Sequence, residues 1–123
     1  MLTQDARLDF DLIRRLGMRV PVPLVLHGSS GVPDADLTRA VAAGITKVNI
    51  ATRLSKAFTA AVRAHLEEHP SDVDTRAYLG RAREAVAAEV SRLLHQLLRV
   101  GGAVEEAEVR VAVQLGVITA HDG

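Results

Sequence analysis

Cysteine and tryptophan are absent from this chain, tyrosine occurs once and phenylalanine twice. The lack of thiols excludes a disulfide scaffold and thiolate metal sites, and it suits a reducing, cytoplasmic compartment. The shortage of aromatics leaves no platforms on which single-stranded bases could stack. An excess of one charge is missing too. The 15 basic side chains cancel the 15 acidic ones, and there is no basic run, so neither nucleic acid nor an anionic membrane is indicated as a partner. No apolar run approaches the roughly 18 residues needed to span a bilayer. The start, MLTQDARLDF, lacks the charged-then-apolar order of a secretory signal. What is present is a 123-residue chain, 48% hydrophobic and 24% charged, enough for one soluble domain with one core.

Periodicity and breakers set the element order. ARLDFDLIRRLGM carries Leu8, Leu12, Ile13 and Leu16 at helical spacing, with Asp5 as an expected cap and Gly17 as an expected stop. Pro21 and Pro23 break the chain. PLVLH then reads as a short strand, apolar on both faces, as expected of a parallel strand covered on both sides. After Gly-Ser-Ser-Gly, PDADLTRAVAAG reads as a helix with Pro33 in its first turn, Leu37 and Val41 on one face and Gly44 at its end. ITKVNIA is a second strand. Thr52 is placed to cap a helix whose Leu54, Phe58, Val62 and Leu66 form a stripe. HPSDVDT is a loop, and the next helix, from Arg76 to Leu98, turns Leu79, Ala82, Val86, Val90, Leu93 and Leu97 inward. Strands alternating with helices indicate parallel βα units and an α/β fold. Two strands leave both sheet edges open, so the pattern reads as part of a larger sheet or barrel. Residues 99–123 change character and stay unassigned, although VRVAV could form a strand.

In α/β folds the chemistry sits where strands end and βα loops begin. His27 with Gly28, Ser29, Ser30 and Gly31 occupies that place after the first strand, and Asn49, Ile50, Ala51 and Thr52 occupy it after the second. Small residues let backbone N–H groups approach an anion, and the helix N-termini that follow favour phosphate. Ser30 and Thr52 can add hydroxyl donors, Asn49 a donor and an acceptor, and a neutral His27 imidazole can ligate a metal. The plainer readings are a simple Gly/Ser connection, a hydrogen-bonded structural histidine and a turn or cap asparagine. A competing motif is HLEEH, His65 to His69, which matches the H-x-x-E-H pattern of inverted zinc peptidases. Pro70 ends that helix at once, and a solvated helix end is the expectation there.

The stretch PLVLHGSSGVPDADLTRAVAAGITKVNIATRLSKAFTAAVR resembles the C-terminal part of class II, metal-dependent ketose-bisphosphate aldolases, which act on fructose or tagatose bisphosphate. The likeness runs from about Ala6 to about Leu98 and rests on the paired H-G-x-S-G and K-V-N-x-x-T motifs. It implies a (β/α)8 TIM barrel whose seventh and eighth strands are the two seen here. His27 would be a ligand of the catalytic Zn2+. Gly28, Ser29 and Ser30 would hold the dihydroxyacetone phosphate end of the substrate, with Ser30 on the phosphate. Asn49 would contact the ketone-bearing fragment, with Ile50 and Ala51 in the same loop, and Thr52 would be a second phosphate donor. The implied reaction is reversible aldol cleavage, with a monovalent cation as a further ligand and a homo-oligomer, dimer or tetramer, as the assembly.

Two departures accompany the resemblance. Position 51 is Ala where enzymes strict for fructose bisphosphate often carry Asp, and Ser29 replaces a common Gly. The family's other zinc histidines and its proton-transferring aspartate have no counterpart here, so no catalytic residue is identified. The expectation is therefore a C-terminal aldolase portion, inactive alone, either a truncated product or one portion of a split enzyme, that forms a homo-oligomer or associates with an upstream barrel portion. The rival expectation is a non-catalytic phosphate-binding or assembly module.

Overall fold

The computed structural model describes residues 6–98. Its elements are α1 (Phe10–Arg19), β1 (Leu24–Leu26), a single 3-10 turn (Ser29–Gly31), α2 (Asp34–Ala43), β2 (Ile45–Val48), α3 (Thr52–Glu68) and α4 (Thr75–Leu98). Asp5 and the unassigned tail with its VRVAV segment lie outside the described residues. Among those described, residues 6–51 with 95–98 form one compact unit and Thr52–Leu94 a second.

In the first unit α1 starts later than expected and ends later. Its cap is Asp9, whose Oδ1 accepts the Leu12 N–H at 2.9 Å. The helix continues through Gly17, which costs about 1 kcal/mol relative to alanine and does not by itself end a helix. It stops before Val20, whose N–H closes on the Leu16 carbonyl at 2.8 Å and whose backbone is already extended, at φ −95° and ψ 120°. Pro21 follows Val20, and the residue before a proline is driven out of the helical region.

The two strands pair in parallel, Leu24 opposite Ile45, Val25 opposite Lys47 and Leu26 opposite Val48, with an irregularity between Leu24 and Val25. Helix α2 joins them, giving the expected βαβ order. Pro33 stands just before α2 rather than within it, and its carbonyl accepts the N–H groups of Asp36 and Leu37, both at 3.0 Å. Gly44 closes the helix at φ 129°, a conformation that a residue with a Cβ rarely adopts. The core of the unit is Ile13, Val32, Leu37, Ala40, Ile45, Val48 and Ile50. The expected covering of β1 on both faces is not met. Val25 is 40% exposed, and Leu24 and Leu26 are half-buried. Helix α2 packs on α1 and on β2, so β2 rather than β1 sits under the helix layer.

In the second unit α3 begins at Thr52 itself, one residue earlier than a Thr52 cap would require. Its inward stripe also differs from the expected one. Leu54 is buried and Val62 half-buried, as expected, but His65 is buried and Ala57 and Ala61 half-buried too, while Phe58 and Leu66 are each 37% exposed. The helix carries apolar residues on most of its circumference, so several stripes at i, i+3 and i+4 were available. In α4, Ala82 and Leu93 are buried and Val86 and Val90 half-buried, as expected, and Leu97 in the last turn is buried too. Leu79 instead faces outward at 44% exposure, and its neighbour Tyr78 turns toward His65, ring centroids 6.2 Å apart.

The expected solvated helix end at HLEEH holds for Glu67, Glu68 and His69, which are exposed, but not for His65. His65 is 5% exposed, and its Nε2 meets Asp72 Oδ2 at 2.6 Å. The chain turns back after Pro70, and that turn carries Asp72 over the end of α3. The hydrogen bond from His65, followed by one from the Asp74 N–H, holds the Asp72 carboxyl below the ordinary aspartate value of 3.8. Asp72 is therefore a carboxylate, and His65 Nε2 carries the proton between them.

Candidate functional site

The site lies where β1 and β2 release the chain. Parallel pairing puts both carboxyl ends on the same side of the sheet, so the segments after Leu26 and after Val48 emerge side by side. The Asn49 N–H donates to the Leu26 carbonyl at 3.0 Å and continues the ladder one step beyond the strand. That bond brings Asn49 opposite His27. Asn49 Nδ2 and His27 Nδ1 then meet at 3.1 Å. With Nδ2 as donor, Nδ1 accepts and a neutral ring carries its proton on Nε2. The opposite carboxamide orientation exchanges the roles. Oδ1 would accept Nδ1–H, and Nε2 would present the lone pair that a metal takes. His27 is exposed, whereas Asn49 Oδ1 is buried and has no hydrogen-bond partner.

The loop after His27 turns on Gly28, at φ 66° and ψ 29°. This left-handed step lets the chain wind into the 3-10 turn directly after the strand. A Cβ on Gly28 would meet nothing within 4 Å, so the demand for glycine comes from the backbone and not from crowding. Ser29 behaves differently from the expected ligand-facing residue. It is 2% exposed, and its hydroxyl donates to the Asn49 carbonyl at 2.7 Å. Its side chain thus ties the two loops together, while the neighbouring Ser30 is half-buried. Ile50 is 1% exposed and belongs to the core, so it can meet a ligand through its backbone alone. Ala51 is exposed, and the exposed Thr52 opens α3.

A zinc ion with catalytic duties takes three protein ligands and keeps one open position. Among the described residues no three His, Cys, Asp or Glu side chains converge to hold a metal. His27 supplies one imidazole, so the donor set in residues 6–98 does not by itself fit a catalytic zinc. HLEEH does not supply a second centre. Its rings are tilted by 49° with centroids 4.9 Å apart, and His65 Nε2 is taken by Asp72. Sequence reasoning missed the Ser29–Asn49 and His65–Asp72 bonds. No local signal announces the first, which joins residues 20 apart. The buried ring in HLEEH could have been suspected, since 65 lies on the same stripe as 54, 57 and 61.

The arrangement is that of an α/β protein whose polar groups gather on loops at the carboxyl ends of parallel strands. Three comparisons narrow the class. The sequence model of "Fructose-bisphosphate aldolase class-II" matches residues 1–118. D-tagatose-1,6-bisphosphate aldolase subunit GatY of Klebsiella oxytoca is 40% identical over 91 residues, which is 74% of this chain and 32% of GatY. The crystal structure of the YdjI aldolase from Escherichia coli K12 superposes with a TM-score of 0.68 at 33% identity, over 85% of this chain and 38% of YdjI. The chain belongs to the class II fructose-bisphosphate aldolase family, and it spans about a third of the length of the curated relative it matches.

Proposed function

We propose that this chain furnishes the seventh and eighth βα units of a class II aldolase (β/α)8 barrel, and that it serves reversible aldol cleavage of a phosphorylated ketose to dihydroxyacetone phosphate and an aldehyde. The observation that carries the reading is the pairing of the His27 and Asn49 loops at the carboxyl ends of two parallel strands. In this reading the backbone N–H groups of Gly28 to Ser30, with the Ser30 hydroxyl, receive the phosphate. Asn49 orients the ketone-bearing fragment, and Thr52 adds a donor at the start of α3. His27 is one ligand of Zn2+, a Lewis acid that polarises a carbonyl when bound. The described residues lack the remaining ligands, which an upstream barrel portion would have to supply. Ala51 leaves a tagatose-type substrate as open as a fructose-type one, and the likeness to GatY supports a ketose bisphosphate. A monovalent cation near the phosphate, a homo-oligomer and a cytoplasmic location complete the proposal.

A coupled assay for dihydroxyacetone phosphate tests it. The chain alone is expected to give no cleavage of fructose or tagatose bisphosphate. Supplying the upstream six βα units of a class II aldolase, in cis or in trans, is expected to give turnover that chelator abolishes and that His27→Ala removes. Ser30→Ala should instead weaken binding of the phosphorylated fragment by about 1.5–3 kcal/mol, the value of a hydrogen bond to a charged group. Turnover by the chain alone, chelator-sensitive and lost in His27→Ala, would overturn the shared-barrel reading. An assembled barrel indifferent to His27→Ala would overturn the site.

A further inference from the structure

Asn49 is held from both sides of its Cα. Its N–H donates to the Leu26 carbonyl at 3.0 Å, and its own carbonyl accepts the Ser29 hydroxyl at 2.7 Å. Both peptide planes that flank the Cα are therefore fixed, and the direction of the Cα–Cβ bond with them. At the end of that side chain the carboxamide meets His27 Nδ1 at 3.1 Å. His27 is exposed, and an exposed imidazole has free rotamers and two tautomers unless a partner selects one. Ser29 has no room for a larger role. It is 2% exposed, so its hydroxyl points into the protein and not toward a ligand.

We propose that Ser29 is a positioning residue. Its buried hydroxyl holds the Asn49 peptide, and through the Asn49 carboxamide it fixes the orientation of the His27 ring. The functional consequence rests on the aldolase reading, because there His27 and Asn49 must face the same small fragment. The physical claim does not rest on it and is tested without metal, substrate or turnover.

The experiment is nitrogen-15 NMR of the full chain at a pH where histidine is neutral. In the parent, the His27 Nδ1 signal should show the shift of a hydrogen-bonded ring nitrogen. In Ser29→Ala the His27 signals should move to the averaged values of a free histidine. Exchange of the Asn49 carboxamide protons should quicken by about fivefold, the population change that one hydrogen bond of ordinary net strength controls. Signals from α3 and α4 should stay in place. Ser29→Thr, which keeps a hydroxyl on the same Cβ, should restore the parent pattern. If Ser29→Ala loses its fold and Ser29→Thr recovers both fold and ring pattern, the hydroxyl is responsible and the proposal stands. A His27 ring with free-histidine signals in the parent, or one indifferent to Ser29→Ala, overturns it. Loss of fold in both variants assigns Ser29 to packing and overturns it as well. A failed aldolase assay would leave each of these outcomes intact, so the two readings fail separately.

Discussion

Gly28→Ala isolates one physical cost at the candidate site. The residue sits at φ 66°, and a Cβ there would find no atom within 4 Å. Crowding is thus absent, and the whole effect must come from the backbone. Holding an L-residue in the left-handed region costs about 1–2 kcal/mol. Replacing glycine also narrows the unfolded ensemble, which returns about 0.4–1 kcal/mol. The expected net loss is about 1 kcal/mol. Gly28→Asn should cost less, because asparagine tolerates this region better than alanine does, although its side chain is larger. Gly31→Ala is the control. Its φ is not in the left-handed region, and its Cβ would lie 3.4 Å from the Ala6 Cβ, at the edge of ordinary contact. It should therefore stay within about 0.5 kcal/mol of the parent, as most substitutions without a named defect do. Urea unfolding followed by far-UV circular dichroism measures all three. The reasoning is refuted if Gly28→Asn is worse than Gly28→Ala, since the cost would then track side-chain size. It is also refuted if Gly28→Ala matches the parent.

Two further perturbations test other parts of the molecule. The Asp72 carboxyl is held below 3.8 by its bond from His65, so the ionised form is favoured in the folded state and contributes stability at pH values above 3.8. That contribution should fade as pH drops from about 4 through the lower folded value; urea midpoints measured between pH 6 and 2 should fall less steeply in Asp72→Asn, and an identical slope in both proteins would refute the linkage. At the start of α1, Asp9→Ala removes the acceptor of the Leu12 N–H and should cost about 1 kcal/mol, as caps of this kind do. The same unfolding assay checks it, and an unchanged midpoint would show that Asp9 is not the working cap.

The order of elements was legible in the chain because its determinants are local. Prolines at 21 and 23 end α1, Gly44 ends α2, and short apolar runs between breakers make β1 and β2. Adjacent positions also carry H-G-S-S-G and K-V-N-I-A-T, which is why the family was readable and why His27, Ser30 and Asn49 stood out. Other features depended on which surfaces meet. Helix α3 is apolar on most of its circumference, so the inward stripe through Leu54, Ala57, Ala61 and His65 was one of several that the spacing allows. The turn after Pro70 supplied Asp72 to the ring that became buried. Val25 is as apolar as its neighbours, yet exposed, because burial belongs to the layer above a strand and not to the strand itself. Ser29 shows the same limit at the site. In sequence it is one of two adjacent serines in a flexible loop; the parallel pairing of β1 with β2 brings a carbonyl 20 residues away to within 2.7 Å of its hydroxyl. Local chemistry determines which elements form and which residue types stand at their ends. The direction in which each side chain points is decided by partners distant in the chain, whose positions exist once the strands have paired.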